Sequence, residues 1–139
     1  MRWLPALAVL ALSLTPAPAR AQDVACAVPA LVEKPPANDD IAQLRRFATG
    51  AGVRVAVIDT GVSPHPEIAH LRPGRDFVAA DALQDCDNHG TAVAGIIAGR
   101  TLGIAPGAEI ISVRQTSSHY RGADAGNLQT LADAINAAL

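Results

Sequence analysis

The stretch Val53-Arg54-Val55-Ala56-Val57-Ile58-Asp59-Thr60-Gly61-Val62 decides the fold. Its first six residues are mostly β-branched and nearly all apolar, and a carboxylate and a glycine follow at once. A run with no polar face predicts a strand buried on both sides, the condition of a parallel sheet covered by helices. Thr60-Gly61 ends the run abruptly. Open α/β sheets carry their working residues beyond the carboxyl ends of their strands, and Asp59 stands at such an end.

Downstream, Ser63-Pro64-His65-Pro66 reads as a surface loop. Gly74 to Asp87 is polar, with Phe77-Val78 as a short strand. Gly90 to Gly99 predicts a helix in which Val93, Ile96 and Ile97 form the buried stripe, while Ala92, Gly95 and Ala98 allow neighbours to come close. Gly103-Ile104-Ala105-Pro106-Gly107 is a turn. Glu109 to Val113 is a second apolar strand, and Gln115 to Gly126 is a loop. A final amphipathic helix spans Asp124 to Leu139 with Leu128, Leu131, Ile135 and Leu139 in line. Upstream, Pro29, Pro35 and Pro36 leave Gln22 to Ala37 as an irregular arm. A short helix follows, capped by Asn38, Asp39 or Asp40 and ended by Gly50 and Gly52, with Ile41, Leu44 and Ala48 on one face. The order strand, helix, strand, helix implies an α/β layer structure with right-handed crossovers.

The bulk numbers exclude some functions. With 139 residues, half of them apolar, the chain suffices for one modest domain. A net charge of −2 and 3% aromatic residues give no electrostatic or stacking case for nucleic acid. Residues 1–21 read as an export signal: Arg2, an apolar stretch from Leu4 to Leu14, the breaker Thr15-Pro16-Ala17-Pro18, and Ala19-Arg20-Ala21 as an A-x-A cleavage site. That stretch falls short of the roughly 20 residues needed to cross a bilayer; an uncleaved anchor is the alternative. Export permits a disulfide. Cys26 and Cys86, if oxidised within the chain, pair only with each other, closing a loop worth about 4 kcal/mol in the chain-entropy model.

A second pattern lies thirty residues past the first, Asn88-His89-Gly90-Thr91-Ala92-Val93-Ala94-Gly95. A carboxylate at a strand end orients one imidazole nitrogen and stabilises imidazolium, and the other nitrogen then takes a proton from a serine hydroxyl. Histidine suits the task because its ordinary pKa is about 6.5. A lone strand-end Asp is more often structural; Asp59 and His89 together are more telling.

On these two boxes the chain resembles the subtilase family of serine proteases. The aspartate box V-x-V-I-D-T-G-V and the histidine box H-G-T-x-V-A-G are intact, and Gly103-Ile104-Ala105-Pro106-Gly107-Ala108 matches the family's G-x-A-P-x-A turn. Asp59 precedes His89, as the subtilisin triad order requires. The resemblance implies a three-layer subtilisin-like α/β fold with a parallel sheet, with residues 22–50 as an N-terminal arm and 51–139 as part of the catalytic domain. It implies a serine endopeptidase acting on protein or peptide substrates without a cofactor, Asp59 and His89 being catalytic. A narrower resemblance is to mycosins, the subtilases that accompany type VII secretion systems, on Ser63-Pro64-His65-Pro66, Asp85-Cys86-Asp87, Ser112-Val113-Arg114-Gln115 and the two cysteines. It implies association with that machinery on the outer side of the membrane, and a membrane anchor only in sequence past Leu139.

The resemblance also implies a third member, a serine in a G-T-S-x-A-x-P box. Ser13, Ser63, Ser112, Ser117 and Ser118 lie in no such context, and the oxyanion asparagine has no match either. The chain is therefore expected to end early in the catalytic domain, to be inactive alone, and to be metastable. Three rival readings stay open. D-T-G also occurs in aspartic proteases, where two such carboxylates share a proton. Asp85, Cys86, Asp87 and His89, with His65 and His70 upstream, form a loose cluster that matches no standard zinc spacing, calcium being the better fit; acids in such a loop are usually just solvated. The third is a secreted binding module on a subtilase scaffold. His65, His70 and His119 read as surface loop residues.

Overall fold

A computed structural model describes Cys26, residues 39–120 and residues 125–139. The export signal, residues 22–38 of the arm apart from Cys26, and the expected start of the last helix at Asp124 lie outside the described residues. Six elements follow in order: α1 (Asp39–Leu44), β1 (Arg54–Asp59), β2 (Leu71–Asp76), α2 (His89–Ala98), β3 (Glu109–Arg114) and α3 (Leu128–Ala138).

The three strands form one parallel sheet in the order β1-β3-β2. Asp59 of β1 and Asp76 of β2 both register with Arg114 of β3. The carboxyl ends thus line up, and three charged residues stand at one end of the sheet. Arg114 is fully buried there, with its Nη1 3.6 Å from the Asp76 carboxylate.

β3 is central and better buried than β1, in which only Val57 is fully enclosed. The expectation that β1 is buried on both faces holds only in part, because β1 lies at an edge of this sheet. β2 departs further from expectation. Its sequence, Leu71-Arg72-Pro73-Gly74-Arg75-Asp76, is mostly exposed and carries no apolar signal. Proline lacks the N–H that a central strand needs, so it is tolerated at an edge. Phe77-Val78 falls just past the strand: the Phe77 N–H donates to the Arg114 carbonyl at 2.8 Å, and the chain then turns away.

α2 packs its small residues inward. Gly90, Thr91, Ala94 and Ala98 are buried, while Ile96, expected in the core stripe, is 68% exposed. Small side chains let the helix axis sit close to the sheet, and the larger Val93 and Ile97 flank the contact. The core joins Val57, Val62, Ile68, Ala94, Ala98 and Ile110. α1 is short, and Leu44 and Ala48 on its expected apolar face are exposed. Arg45 straps this region to the turn after α2 through the carbonyls of Gly99, Arg100 and Gly103. No helix among the described residues is long and apolar enough to cross a membrane.

Candidate active site

Asp59 is the last residue of β1. Its Oδ1 accepts the Thr60 N–H at 2.7 Å and lies 2.7 Å from His89 Nδ1. The turn that follows needs glycine: Gly61 has φ +102°, and a Cβ there would stand 2.8 Å from the Gln84 carbonyl oxygen. His89 is the first residue of α2, and the residue before it, Asn88, has φ 60°. Left-handed backbone is tolerable for asparagine, and here it swings the chain into the helix. Gly90 then sits directly on the D-T-G turn. A Cβ at Gly90 would lie 2.0 Å from the Gly61 carbonyl oxygen, so only glycine lets strand end and helix start meet this closely.

The two partners differ in exposure. The Asp59 side chain is 16% exposed and the His89 ring 69%. The carboxylate is thus held inside, and the ring leans on it from the solvent side. Among the described residues His89 Nε2 makes no hydrogen bond, so it stays available to a substrate or nucleophile. The hydrogen bond that the charged ring donates to the Asp59 carboxylate raises the His89 pKa above its ordinary 6.5, and the Asp59 charge adds to this; desolvation opposes both, and Asp85 and Asp87 give lesser help. The folded state therefore binds the imidazolium proton more tightly than the unfolded chain does. Stability from this pair is fully present below pH 6.5 and is lost as pH rises through the folded-state pKa.

The acidic cluster is not a solvated loop. The Asp85 side chain is among the most deeply buried in the chain, at 1% exposure. Its Oδ1 accepts from Thr60 Oγ1 at 2.8 Å and from the Asp87 N–H at 3.2 Å. Its Oδ2 accepts from the Thr91 N–H at 2.8 Å and from Thr91 Oγ1 at 2.7 Å. Asp87 faces the other way. Burial alone would push its carboxyl up, but the hydroxyls of Ser118 and Ser117 and the Ser118 N–H outweigh burial and hold it below the ordinary carboxylate range. Cys86 between them is bonded to Cys26, and His119 Nε2 lies 3.0 Å from the Cys86 carbonyl oxygen.

The side chains of the four clustered residues thus have four separate sets of partners, Thr60 and Thr91 for Asp85, Cys26 for Cys86, Ser117 and Ser118 for Asp87, and Asp59 for His89. Among the described residues no three His, Cys, Asp or Glu side chains come together to hold a metal. His65 accepts the Glu67 N–H at 3.2 Å through Nδ1 and takes no part in the site. The burial of Asp85 escaped sequence reasoning. Its signal was the threonine that follows each motif residue, Thr60 after Asp59 and Thr91 shortly after His89, since two buried hydroxyls require an acceptor.

Each described serine is engaged elsewhere. Ser63 Oγ accepts the Asp85 N–H, Ser112 Oγ donates to the Ala82 carbonyl at 2.5 Å, and Ser117 and Ser118 hold Asp87.

The model of the subtilase family matches residues 50–139. Mycosin-1 of Mycobacterium tuberculosis (strain ATCC 25618 / H37Rv) is 51% identical over 88 residues, which is 58% of this chain and 20% of that protein. The crystal structure of MycP1 from the ESX-1 type VII secretion system superposes with a TM-score of 0.64 at 40% identity, covering 71% of this chain and 31% of that one. The periplasmic assembly from the ESX-5 inner membrane complex contains a chain that superposes with a TM-score of 0.62 at 39% identity, over 71% of this chain and 33% of that one. The chain spans about a fifth to a third of the length of these three relatives. Family match, close relatives and subtilisin-like fold agree, and the chain belongs to the subtilase family.

Proposed function

We propose that this chain supplies the acid–base half of a mycosin-like serine endopeptidase. Asp59 orients the His89 ring through Nδ1 and stabilises its charged form. His89 Nε2 takes the proton from a serine hydroxyl as that oxygen attacks a peptide carbonyl, then returns it to the leaving amine. The observation that carries this is the 2.7 Å contact between Asp59 and His89 across thirty residues, with the ring open to solvent. The serine and its oxyanion site are expected in the part of the family's length that this sequence does not span. Each described serine is already committed, which supports that view.

Relatives named for type VII secretion support a place beside that machinery, outside the inner membrane. The disulfide supports export, because such bonds persist in oxidising compartments. Residues 1–21 act as the export signal and residues 22–50 as an arm held by Cys26.

The test is hydrolysis of a denatured protein by the full-length protein. Asp59→Asn is expected to lower kcat about 10⁴-fold, and His89→Ala by more. Because the His89 pKa is raised, kcat/KM rises with pH through a midpoint above 6.5. Full-length protein without hydrolysis, or hydrolysis that survives His89→Ala, overturns the proposal.

A further inference from the structure

We propose that Asp85 is a positioning residue for the Asp59–His89 pair, its buried carboxylate fastening Thr60 behind the strand end to Thr91 in the first turn of the helix. The inference rests on the reading of that pair as catalytic, but its geometry stands apart from it.

A helix leaves its first N–H groups without partners inside the helix. The residue before α2 ordinarily satisfies one of them with its side chain, yet Asn88 makes no such bond. The acceptors come from elsewhere. The Gly90 N–H donates to Thr60 Oγ1 at 3.0 Å, and the Thr91 N–H to Asp85 Oδ2 at 2.8 Å. Thr60 Oγ1 in turn donates to Asp85 Oδ1. Thr91 Oγ1 accepts the Ser63 N–H at 3.0 Å, and Ser63 Oγ accepts the Asp85 N–H at 3.0 Å. The start of α2 is therefore capped by the strand-end turn and by one carboxylate that holds both. Its negative charge also suits the positive end of the helix. With all four of its hydrogen bonds made inside the protein, Asp85 has one arrangement only. Losing it frees the helix start, and with it the His89 ring, to move relative to Asp59. A displacement near 1 Å at a catalytic group costs about 100-fold in rate.

Asp85→Asn would be ambiguous, because removing its charge lowers the His89 pKa directly. Neutral changes decide. Thr60→Val and Thr91→Val each cut the network without altering any charge, and Thr60→Ser keeps the hydroxyl. The readout is the low-field Nδ1–H resonance of His89 and its NMR titration in the full chain, with Asp59→Asn as the unlatched reference. Thr60→Val is expected to lose the resonance and shift the titration midpoint toward that of Asp59→Asn, while Thr60→Ser stays like the parent. In the full-length protein kcat should fall about 100-fold with KM unchanged. Where Thr60→Val fails to fold, Thr91→Val, which leaves the Gly90 contact in place, carries the same test. A folded valine variant with the parent's resonance and midpoint overturns the proposal. Because the resonance needs no proteolysis, a protein that passes this test yet cleaves nothing would sink the protease reading alone.

Discussion

Around Asp85 the chain turns its polar groups inward; along α3 it turns its apolar groups outward. Between residues 59 and 91 two threonines, a serine and a carboxylate close a network in which every bond has both ends inside the protein. On α3, by contrast, Leu128 is 85% exposed and Ile135 48%, and only Ala134 is buried. The helix is nonetheless well begun. Asn127 and Thr130 form a reciprocal capping box, and Gln115 Nε2 reaches Thr130 Oγ1 at 2.9 Å. A hydrogen-bonded network is complete once its few directional partners are in place. An apolar stripe is satisfied only by area, and the described residues offer α3 little of it.

That contrast can be broken in graded ways. The largest effect is expected at the tether beside Asp85. The bond between Cys26 and Cys86 spans a sequence separation of 60 residues, and Cys26→Ser should cost about 4 kcal/mol in urea unfolding. A much smaller loss would mean that the hydrogen bonds alone hold this region. Next comes α3 itself. Ala134→Asp buries an unpaired charge and should cost about 3 kcal/mol, whereas Leu128→Gln should stay within about 0.5 kcal/mol. Equal costs at the two positions would show that the outer face of α3 is covered after all. A modest effect is expected at Asn88. Replacing it with glycine relieves left-handed backbone and should stabilise by up to about 1 kcal/mol, while Asn88→Ala destabilises by a similar amount. If Asn88→Gly destabilises instead, the asparagine side chain holds the helix start in a way the network does not account for.

How much of this was legible in the sequence follows the same division. The apolar runs at Val53–Ile58 and Glu109–Val113 lie within a residue of β1 and β3, because strands beside a core show in composition. β2 was illegible, since an edge strand with Pro73 and Gly74 looks like a turn. α2 was legible as a helix and partly in its orientation: Val93 and Ile97 pack against the core and Ala98 is buried as expected, whereas Ile96 is exposed. Periodicity did not single out Ala94, which close packing on the sheet buries completely. The nearness of Asp59 and His89 was anticipated from their boxes, and the structure sets them 2.7 Å apart. Asp85 was misread as solvated because charge alone does not reveal a buried acceptor; its partners lie up to 25 residues away.

The strand order β1-β3-β2 also sets a timetable. During synthesis β1 and β2 emerge first, and neither pairs with the other. Both wait for Glu109–Arg114 to arrive and slide between them. Over the stretch that separates Asp76 from Glu109, the nascent chain carries two unpaired strands, the state in which chains are most prone to stick to one another or to be met by chaperones. The central strand is thus a keystone delivered last, and no part of this sheet exists until it is set.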